Sequence, residues 1–419
     1  MKIGVINLGC AKNLVDTENL IGRLLAGGAN ITSNAEEADL IIINTCGFIE
    51  PAKLESIQTI LEFAENKRVI VMGCLVERYK EELQKELPEV EAFFGTQSHE
   101  EIARYLNLEE RPYERVLTTP GAYAYLKIAE GCNRLCSFCA IPMIRGRHRS
   151  KPIEKIVSEA ENLARKGVKE LCIVSQDTGY YGKDLYHRKA LVELLERLQR
   201  IEGIEWIRLL YLYPSDVDED LLSFMASSQK VLPYLDIPLQ HVSDKVLKSM
   251  RRGYTKKDIM DLLDKIHKHL PNAVLRTTFI VGYPEEEESD FQELLRLVEE
   301  GHFHWVGVFE YYHEEGTHAY SLGDKVPKRE KHRRFKELTS LAKKIFKKKA
   351  KELVGRRLMV LVDGFDQEFG LVPIGRSYMH APEVDGVIYI ESERELRKGD
   401  MVEVEVLKVK DYDLVARVS

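Results

Sequence analysis

Short apolar runs of strand length alternate with helical patterns over most of the chain, and this alternation restricts the possible folds more than any other feature. The first such runs are KIGVINLGC, DLIIINTCG and KRVIVMGC, each rich in β-branched residues. Strands that alternate with helices predict parallel sheets built from βαβ units. Further runs follow: AYLKIAEG, KELCIVSQD, IRLLYLYP, YLDIPLQH, AVLRTTFIVGYP and WVGVFEYY. They predict about six βα units, and so a full or partial barrel.

The composition is that of a folded protein of two or three domains, as expected for 419 residues. A hydrophobic content of 44% is enough for a packed core and argues against disorder. No apolar run reaches the ~18 residues of a membrane span, and the N-terminus lacks a secretion signal. We therefore expect a cytoplasmic protein without membrane association. The net charge of −7 disfavours a purely electrostatic grip on RNA.

The first three apolar runs all end in a cysteine, at Cys10, Cys46 and Cys74. Because parallel strands end at one edge of their sheet, we expect these cysteines to converge in space. A single cysteine of this kind is best explained as a small buried residue. Three at equivalent strand ends favour a shared ligand site. Cys172 lies in the middle of its run, ELCIVSQ, and is predicted to be a core residue.

A second group of cysteines lies in one loop, within the stretch Tyr125 to Arg149. The spacing of Cys132, Cys136 and Cys139 suits three irons of a cubane iron–sulfur cluster. The fourth iron would stay open to a small molecule, whereas electron-transfer clusters usually take four cysteines at other spacings. Zinc remains an alternative, with His148 as the fourth ligand. A disulfide fits poorly, because three close cysteines cannot pair evenly.

The ends of the later strands supply further candidate walls for this site, since barrels carry their chemistry at the C-terminal ends of their strands. Each polar residue alone is equally well explained as a cap or a satisfied core group. Together they would form one face. These residues are Ser175, Gln176, Asp177, Gln240, His241 and Tyr283, with Arg276 inside its strand.

With its flanks, the loop EGCNRLCSFCAIPMIRGRHRS resembles the radical S-adenosylmethionine (SAM) enzymes. Within them it is most similar to the methylthiotransferases, which continue past the cysteines with a proline and an Arg-Gly. The resemblance implies a 4Fe–4S cluster on the cysteine loop, with SAM bound at its open iron. It also implies that Phe138 packs on the adenine and that Gln176 lies near the methionine end. Ser175 and Arg276 would complete the cofactor-binding set.

The same resemblance implies that Cys10, Cys46 and Cys74 hold a second, auxiliary 4Fe–4S cluster that carries sulfur. In this family one SAM yields a deoxyadenosyl radical and another donates the methyl group. Such chemistry is needed because no acid or base breaks an unactivated C–H bond near neutral pH. An electron donor such as flavodoxin and a sulfur donor are implied partners.

The stretches NLGCAKNLVDTE and NTCGFIEPAKLES resemble the branch that modifies a ribosomal protein. That branch methylthiolates the β-carbon of an aspartate in small-subunit ribosomal protein number twelve. A tRNA adenosine methylthiotransferase is the nearest alternative. A non-catalytic iron–sulfur or zinc protein that docks on the ribosome is the second.

The last part of the chain changes to short alternating runs, LMVLVDG, GVIYIES, MVEVEVLKV and LVARVS. They predict a small antiparallel barrel that resembles the TRAM domain. From Arg356 to Ser419 there are nine Lys or Arg against thirteen Asp or Glu, a net charge of −4. An acidic module would repel phosphates and attract a basic protein, which favours the ribosomal-protein branch. The expected domains are residues 1–116, 117–349 and 350–419.

Three polar features have two interpretations each. Lys325 to Arg357 holds fifteen Lys or Arg against three Glu, with an apolar face at helical spacing. It is either a solvated helix face or a contact with RNA or a ribosomal surface. Arg145 and Arg147 form either a solvated turn or a contact with the substrate or the first domain. Asn13 and Asp16 are either helix caps or part of the first cysteine site.

Overall fold

The computed structural model describes residues 1–119, 121–366 and 371–419. It shows a parallel α/β sheet, a second and larger parallel α/β sheet, and a closed β-barrel, in chain order. This is the mixed α/β architecture that the sequence predicts. None of the described helices combines the length and the apolar character that a membrane span requires.

The first sheet contains five parallel strands in the order β2-β1-β3-β4-β5. The three predicted strands are β1, β3 and β4, and the two short outer strands were not predicted. The strands are β1 (Lys2–Asn7), β2 (Asn30–Thr32), β3 (Leu40–Thr45), β4 (Arg68–Gly73) and β5 (Ala92–Phe94). The helices are α1 (Ala11–Ala26), α2 (Glu50–Ala64), α3 (Cys74–Glu86) and α4 (His99–Tyr105).

Both faces of this sheet are buried, which explains its continuous apolar runs. Ile41 and Ile43 of β3 join one core cluster, whereas Leu40 and Ile42 join another on the opposite face. Successive strand residues point to opposite faces, so LIII supplies both cores at once.

The second sheet contains six strands, which lie in chain order and are all parallel. It is open and not closed, so of the two predicted forms the partial barrel is the observed one. Its strands are β6 (Tyr123–Lys127), β9 (Glu170–Val174), β10 (Trp206–Leu209), β11 (Val231–Asp236), β12 (Val274–Val281) and β13 (Trp305–Glu310). The small strands β7 (Ala129–Glu130) and β8 (Arg149–Ser150) pair beside the cysteine loop.

Helices cover the outer face of the open sheet. They are α6 (Ile153–Arg165), α7 (Leu191–Leu198), α8 (Glu219–Ser227), α9 (Asp244–Ser249), α10 (Lys256–His269), α11 (Glu288–Glu299) and α12 (Lys328–Lys351). The short helix α5 (Ile141–Arg145) instead follows the cysteine loop and packs against α3 of the first unit. The outward residues Leu126, Ile173 and Leu235 belong to one large core cluster with these helices. The inward residues Tyr125, Cys172 and Tyr234 belong to a different cluster, shared with the barrel.

The closed barrel has the strand order β14-β15-β16-β18-β17. Its strands are β14 (Arg357–Asp366), β15 (Val372–Arg376), β16 (Ile388–Glu391), β17 (Met401–Lys410) and β18 (Asp413–Val418). The prediction of an antiparallel barrel needs one correction, because β16 and β18 pair in parallel while the other pairs are antiparallel. Strand β15, VPIGR, was not predicted because proline and glycine weaken its strand pattern.

The two outer units dock at opposite ends of the open sheet. Lys127, the last residue of β6, contacts Asp16 of the first unit. Glu170, the first residue of β9, pairs with Arg376 of the barrel. The first unit therefore covers the C-terminal strand ends, which we call the upper end. The barrel covers the N-terminal halves, which we call the lower end.

Candidate active site

The structure brings the first cysteine trio together at the upper edge of the first sheet. Cys10 directly precedes α1, Cys46 follows β3, and Cys74 begins α3. A Cβ on Gly9 would lie 3.2 Å from the Cys46 sulfur, so the loops after β1 and β3 touch. The charges of Cys10 and Cys46 also reach Cys74, where they add to the effect of burial and raise its pKa to about 12.

Gly73 makes the turn that directs Cys74 into this site. Its φ is +104°, and a Cβ there would lie 2.3 Å from the side-chain oxygen of Asn44. Asn44 in turn donates to the backbone oxygen of Asn13 at 3.0 Å. Asn13 donates to the backbone oxygens of Leu8 and Thr45, at 2.9 and 3.1 Å. Asn13 is therefore not a helix cap, and it ties the cysteine-bearing loops together.

Cations lie beside the first trio and favour the thiolate form of Cys10. Enclosure by protein raises the pKa of Cys10, but Lys12, backbone hydrogen bonds and Arg145 outweigh it, so the net pKa is lowered. The Arg145 guanidinium donates to the Cys74 sulfur at 3.3 Å. Arg145 is buried and comes from the central unit, which settles its two interpretations in favour of contact with the first domain. Arg147 is exposed.

The second trio lies in the loop between β7 and α5, at the upper end of the open sheet. The three cysteines lie close enough to change one another's pKa. Burial and the charges of Cys136 and Cys132 raise the pKa of Cys139 to about 12. Arg252 donates to the Cys136 sulfur at 3.0 Å, and the backbone N–H of Arg134 donates to the Cys132 sulfur at 3.3 Å. These donors compensate the thiolate charge that iron ligation requires.

A buried network of charges extends from the first trio to the start of the second cysteine loop. Arg145 contacts Cys74 at one end and forms ion pairs with Asp16 and Glu130 at 2.7 and 3.2 Å. Lys127 bonds the same two carboxylates. Glu130 is separated from Cys132 by one residue only. Although burial raises it, the pKa of Asp16 is strongly lowered by Lys127 and Arg145. Asp16 is thus an interdomain ion-pair residue and not a helix cap.

Of the predicted SAM-binding residues, Gln176 lies nearest to this network. Its amide nitrogen donates to Glu130 at 2.7 Å, while its buried amide oxygen has no partner among the described residues. Ser175 is fully buried and accepts from the backbone N–H of Asp177 at 3.1 Å. Phe138 is half-buried and packs against a small cluster that includes Tyr283. Their contact with SAM stays a prediction.

Arg276 lies apart from the other three, toward the lower end. It faces inward, but its guanidinium bonds Asp236 at 3.1 Å and Asp385 of the barrel at 3.3 Å. Cys172 also lies on the inward face, fully buried, as predicted for a core residue.

The zinc alternative would require His148 to turn toward the cysteine loop. Its ring nitrogen Nε2 instead lies 3.2 Å from the Ser150 hydroxyl, and the ring packs against Tyr180. Among the residues that the structure describes, no three His, Cys, Asp or Glu side chains stand close enough to share a single metal ion.

Sequence reasoning missed several residues of the site. Lys127 and Glu130 had a signal, because both are charged residues within the otherwise apolar approach to the cysteine loop. Arg252 had none, since it follows α9 and lies 116 residues beyond Cys136 in the chain. Arg78 and Lys53 of the first unit both pair with Glu314, after β13, and had no signal either.

Three family models match the chain: Uncharacterized protein family UPF0004 over residues 2–95, the Radical SAM superfamily over 126–298, and the TRAM domain over 354–418. The chain is 64% identical to the ribosomal protein uS12 methylthiotransferase RimO of Aquifex aeolicus, over 100% of this chain and 97% of the relative. The chain belongs to the RimO family. The RimO protein of Sulfurihydrogenibium sp. is 52% identical over 99% of this chain and 98% of its own length.

Solved structures share the fold of this RimO-family chain. The radical SAM methyltransferase TsrM of Kitasatospora setae superimposes with a TM-score of 0.56 at 14% identity, covering 74% of this chain and 72% of TsrM. The cobalamin-dependent radical SAM enzyme OxsB gives 0.52 at 13% identity, covering 80% and 56%. Membership of the radical SAM superfamily implies SAM and 4Fe–4S clusters as cofactors. The two thiol trios, their cationic donors and the unpartnered oxygen of Gln176 fit such groups.

Proposed function

We propose that this enzyme inserts a methylthio group on the β-carbon of an aspartate of ribosomal protein uS12. The observation that carries the proposal is the pair of cysteine trios at the upper end, with the buried Arg145 network running from the first trio to Glu130 beside the second cysteine loop, in a chain of the RimO family. We assign the auxiliary cluster to Cys10, Cys46 and Cys74, and the SAM-binding cluster to Cys132, Cys136 and Cys139. When bound, the clusters and two SAM molecules supply the one-electron chemistry, the sulfur and the methyl group.

The residues of the chain hold and insulate these groups. Arg252 and the Arg134 backbone N–H stabilise thiolate charge in the second trio, and Arg145 and Lys12 do so in the first. The shared carboxylates Asp16 and Glu130 fix Arg145 between the trios, so the substrate carbon can be placed between the two sites. Burial of this network keeps its own charges out of contact with water.

The SAM-binding set follows from the same placement. Gln176 would offer its free amide oxygen to the methionine ammonium, while Phe138 would pack on the adenine. Ser175 positions the turn beneath them through Asp177. We retain Arg276 as a more distant candidate, which its bond to Asp385 places toward the barrel.

The proposal also covers the domain boundaries, the partner proteins and the location of the enzyme. We place the domain boundaries at residues 1–116, 117–349 and 350–419. An electron donor such as flavodoxin and a separate sulfur donor would serve the two clusters. We propose that the enzyme acts in the cytoplasm, because its proposed substrate is a ribosomal protein.

The acidic barrel supports uS12 over tRNA as substrate. Its net charge of −4 would repel phosphates and attract a basic ribosomal protein. A non-catalytic docking protein would need neither two thiol trios nor the buried Arg145 network.

An anaerobic assay tests the proposal. The protein is reconstituted with iron and sulfide and given SAM, a reductant and either a peptide from the aspartate loop of uS12 or a tRNA anticodon arm. Mass spectrometry should show replacement of one hydrogen by a methylthio group on the peptide. Modification of the RNA alone would contradict the proposal, and two clusters without SAM cleavage would favour the docking protein.

A further inference from the structure

Helix α12 carries the strongest local concentration of positive charge in the described chain. Its buried face, which includes Leu338, Ala342 and Phe346, packs against the open sheet and the barrel. Its opposite face is exposed. Cations recur there at intervals of seven, eight, four and three residues, which places them along one side of a helix. We call them the cationic stripe: Arg329, Lys336, Lys344, Lys348 and Lys351.

The stripe differs from the other cations of the same helix in its partners. Lys331 pairs with Asp324, Arg334 with Glu286, and Lys343 with Asp411 of the barrel. Within residues 1–119, 121–366 and 371–419, none of the five stripe residues has a carboxylate partner. The chain carries a net charge of −7, so carboxylates that could neutralise these five cations are abundant in it. These five cations are therefore left available on the exposed side of the helix, beside Arg333 and Lys347, whose charges are paired.

The chemistry of the stripe favours a phosphate backbone over a protein surface. Protein interfaces depend on buried aromatic and aliphatic anchors at their centre. In the described chain, α12 contributes no large exposed hydrophobic side chain. A row of cations without such an anchor gives the sequence-independent binding that counterion release drives on nucleic acids. From Arg329 to Lys351 the stripe extends about 33 Å, at 1.5 Å per residue, so it can follow several phosphates of one RNA segment.

The acidic barrel adjoins the stripe, since residues 356–419 carry a net charge of −4 and the barrel pairs with α12. Asp411, between β17 and β18, bonds Lys343 and lies 3.6 Å from the exposed Lys347. A partner that satisfies both surfaces must present RNA beside basic protein. A free ribosomal protein supplies only the second, whereas a ribosomal subunit supplies both.

We propose that the cationic stripe binds ribosomal RNA next to uS12, so that the enzyme acts on the small ribosomal subunit and not only on free uS12. This inference rests on the proposed function and extends it to the state of the substrate. The binding is electrostatic and independent of RNA sequence, while the cysteine sites and the acidic barrel select the protein.

A triple variant tests the proposal, with Lys336→Glu, Lys344→Glu and Lys348→Glu in the full chain. The matched control carries Lys257→Glu, Lys265→Glu and Lys268→Glu on α10, which changes the net charge equally on another helix. Affinity for purified small subunits and for a short RNA duplex is measured against salt concentration. For the duplex, each lost phosphate contact should reduce the slope of log affinity against log salt by about 0.9.

We expect the stripe variant to lose at least tenfold in affinity for both probes at low salt. Its slope of log affinity against log salt should fall by the amount that about three lost phosphate contacts predict. The α10 variant should bind as the wild type does. Equal losses in both triple variants, or a stripe variant that binds normally, would overturn the proposal. Binding of the subunit that depends on the stripe, but with no binding of the RNA duplex, would point to an acidic protein and would overturn it too.

Modification of a free uS12 peptide separates this inference from the proposed function. The stripe variant should modify the peptide at the wild-type rate and the small subunit at a reduced rate. If the wild-type enzyme modifies neither substrate, the proposed function fails. If the stripe variant modifies both substrates as the wild type does, only the inference about RNA fails.

Discussion

The two ends of the open sheet carry comparable numbers of buried charges but use them differently. At the upper end, Arg145 and Lys127 share Asp16 and Glu130, and this network contacts a cysteine sulfur. At the lower end, Glu170 lies between Arg208 and Arg376, and no part of that triad contacts either cysteine trio. The upper charges lie where sulfur ligands meet, and the lower ones join two folded units.

This difference agrees with a general property of such sheets, whose chemistry is at the C-terminal strand ends and whose opposite end serves stability. Tyr123 and Tyr125 donate to Glu383 of the barrel, and Trp305 donates to the backbone oxygen of Met379. Cys172 lies among these contacts, in the middle of β9. Burial of polar groups is therefore not in itself a sign of catalysis, because it occurs at both ends. Contact with the cysteine trios, which occurs only at the upper end, is the sign that distinguishes the two ends.

The largest expected effect is at the upper end. Changing Cys132, Cys136 or Cys139 to alanine should abolish SAM cleavage, measured as deoxyadenosine, because the open iron is lost. Changing Cys10, Cys46 or Cys74 should leave cleavage intact and abolish methylthio transfer. Sulfur transfer at the normal rate in a first-trio variant would refute the auxiliary site.

Cys172→Ala is the matched control from the lower end. It should retain the iron content of both sites and lose only packing stability, because its sulfur contacts Glu170 and not another cysteine. Loss of a cluster in this variant would contradict the assignment of Cys172 to the core and of cluster binding to the upper end alone.

Removal of one charge from the upper network comes next. Arg145→Gln leaves Asp16 and Glu130 with Lys127 as their only cation among the described residues, and loss of a partner from a buried ion pair costs about 3–5 kcal/mol. We expect a lower free energy of unfolding in anaerobic denaturation and a changed reduction potential of the auxiliary cluster. Arg145→Lys should recover part of the stability, whereas an unchanged potential in Arg145→Gln would show that the contact with Cys74 is only structural.

Glu170→Gln applies the same test at the lower end. It leaves Arg208 and Arg376 without a carboxylate between them, at a cost of about 3 kcal/mol or more. Stability should fall, but SAM cleavage per folded molecule should not, since the triad does not contact the cysteine trios. A loss of cleavage in protein shown to be folded would mean that the lower end takes part in the chemistry.

The effect that is smallest at neutral pH is a pH dependence at the lower end. Burial, together with Arg208 and Arg376, lowers the pKa of His380 to about 3, against 6.5 in the unfolded chain. As pH falls below 6.5, His380 becomes protonated in the unfolded chain but stays neutral in the folded chain until the pH approaches 3. His380 therefore reduces stability by up to about 1.4 kcal/mol per pH unit between 6.5 and 3. Above pH 6.5 it has no effect.

The difference in unfolding free energy between wild type and His380→Gln should show this dependence, because the variant has no titrating ring. A difference that stays constant from pH 7 to pH 4 would mean that the barrel admits protonated His380. Deoxyadenosine production by folded protein should be equal in the two proteins at pH 7.

Local signals predicted much of this molecule. The alternating runs predicted nine of the larger strands in the two α/β units, because each run is long enough and apolar enough to be read alone. The short strands β2 and β5 were missed, since three residues give no period. The parallel pairing of β16 and β18 was missed because pairing direction in a small barrel depends on chain closure, which has no local pattern.

The sequence by itself determined the two cysteine trios. Spacing in one loop defines the second trio, and equivalent strand ends in a parallel sheet define the first, so both follow from local pattern and elementary topology. Only the tertiary structure decided which charges serve them. Arg145 contacts Cys74 and Arg252 contacts Cys136 across 71 and 116 residues of chain, and Asp16 meets Lys127 between domains. Such pairings depend on how whole units dock, and a buried charge appears in the sequence as one more polar residue until its partner is placed beside it.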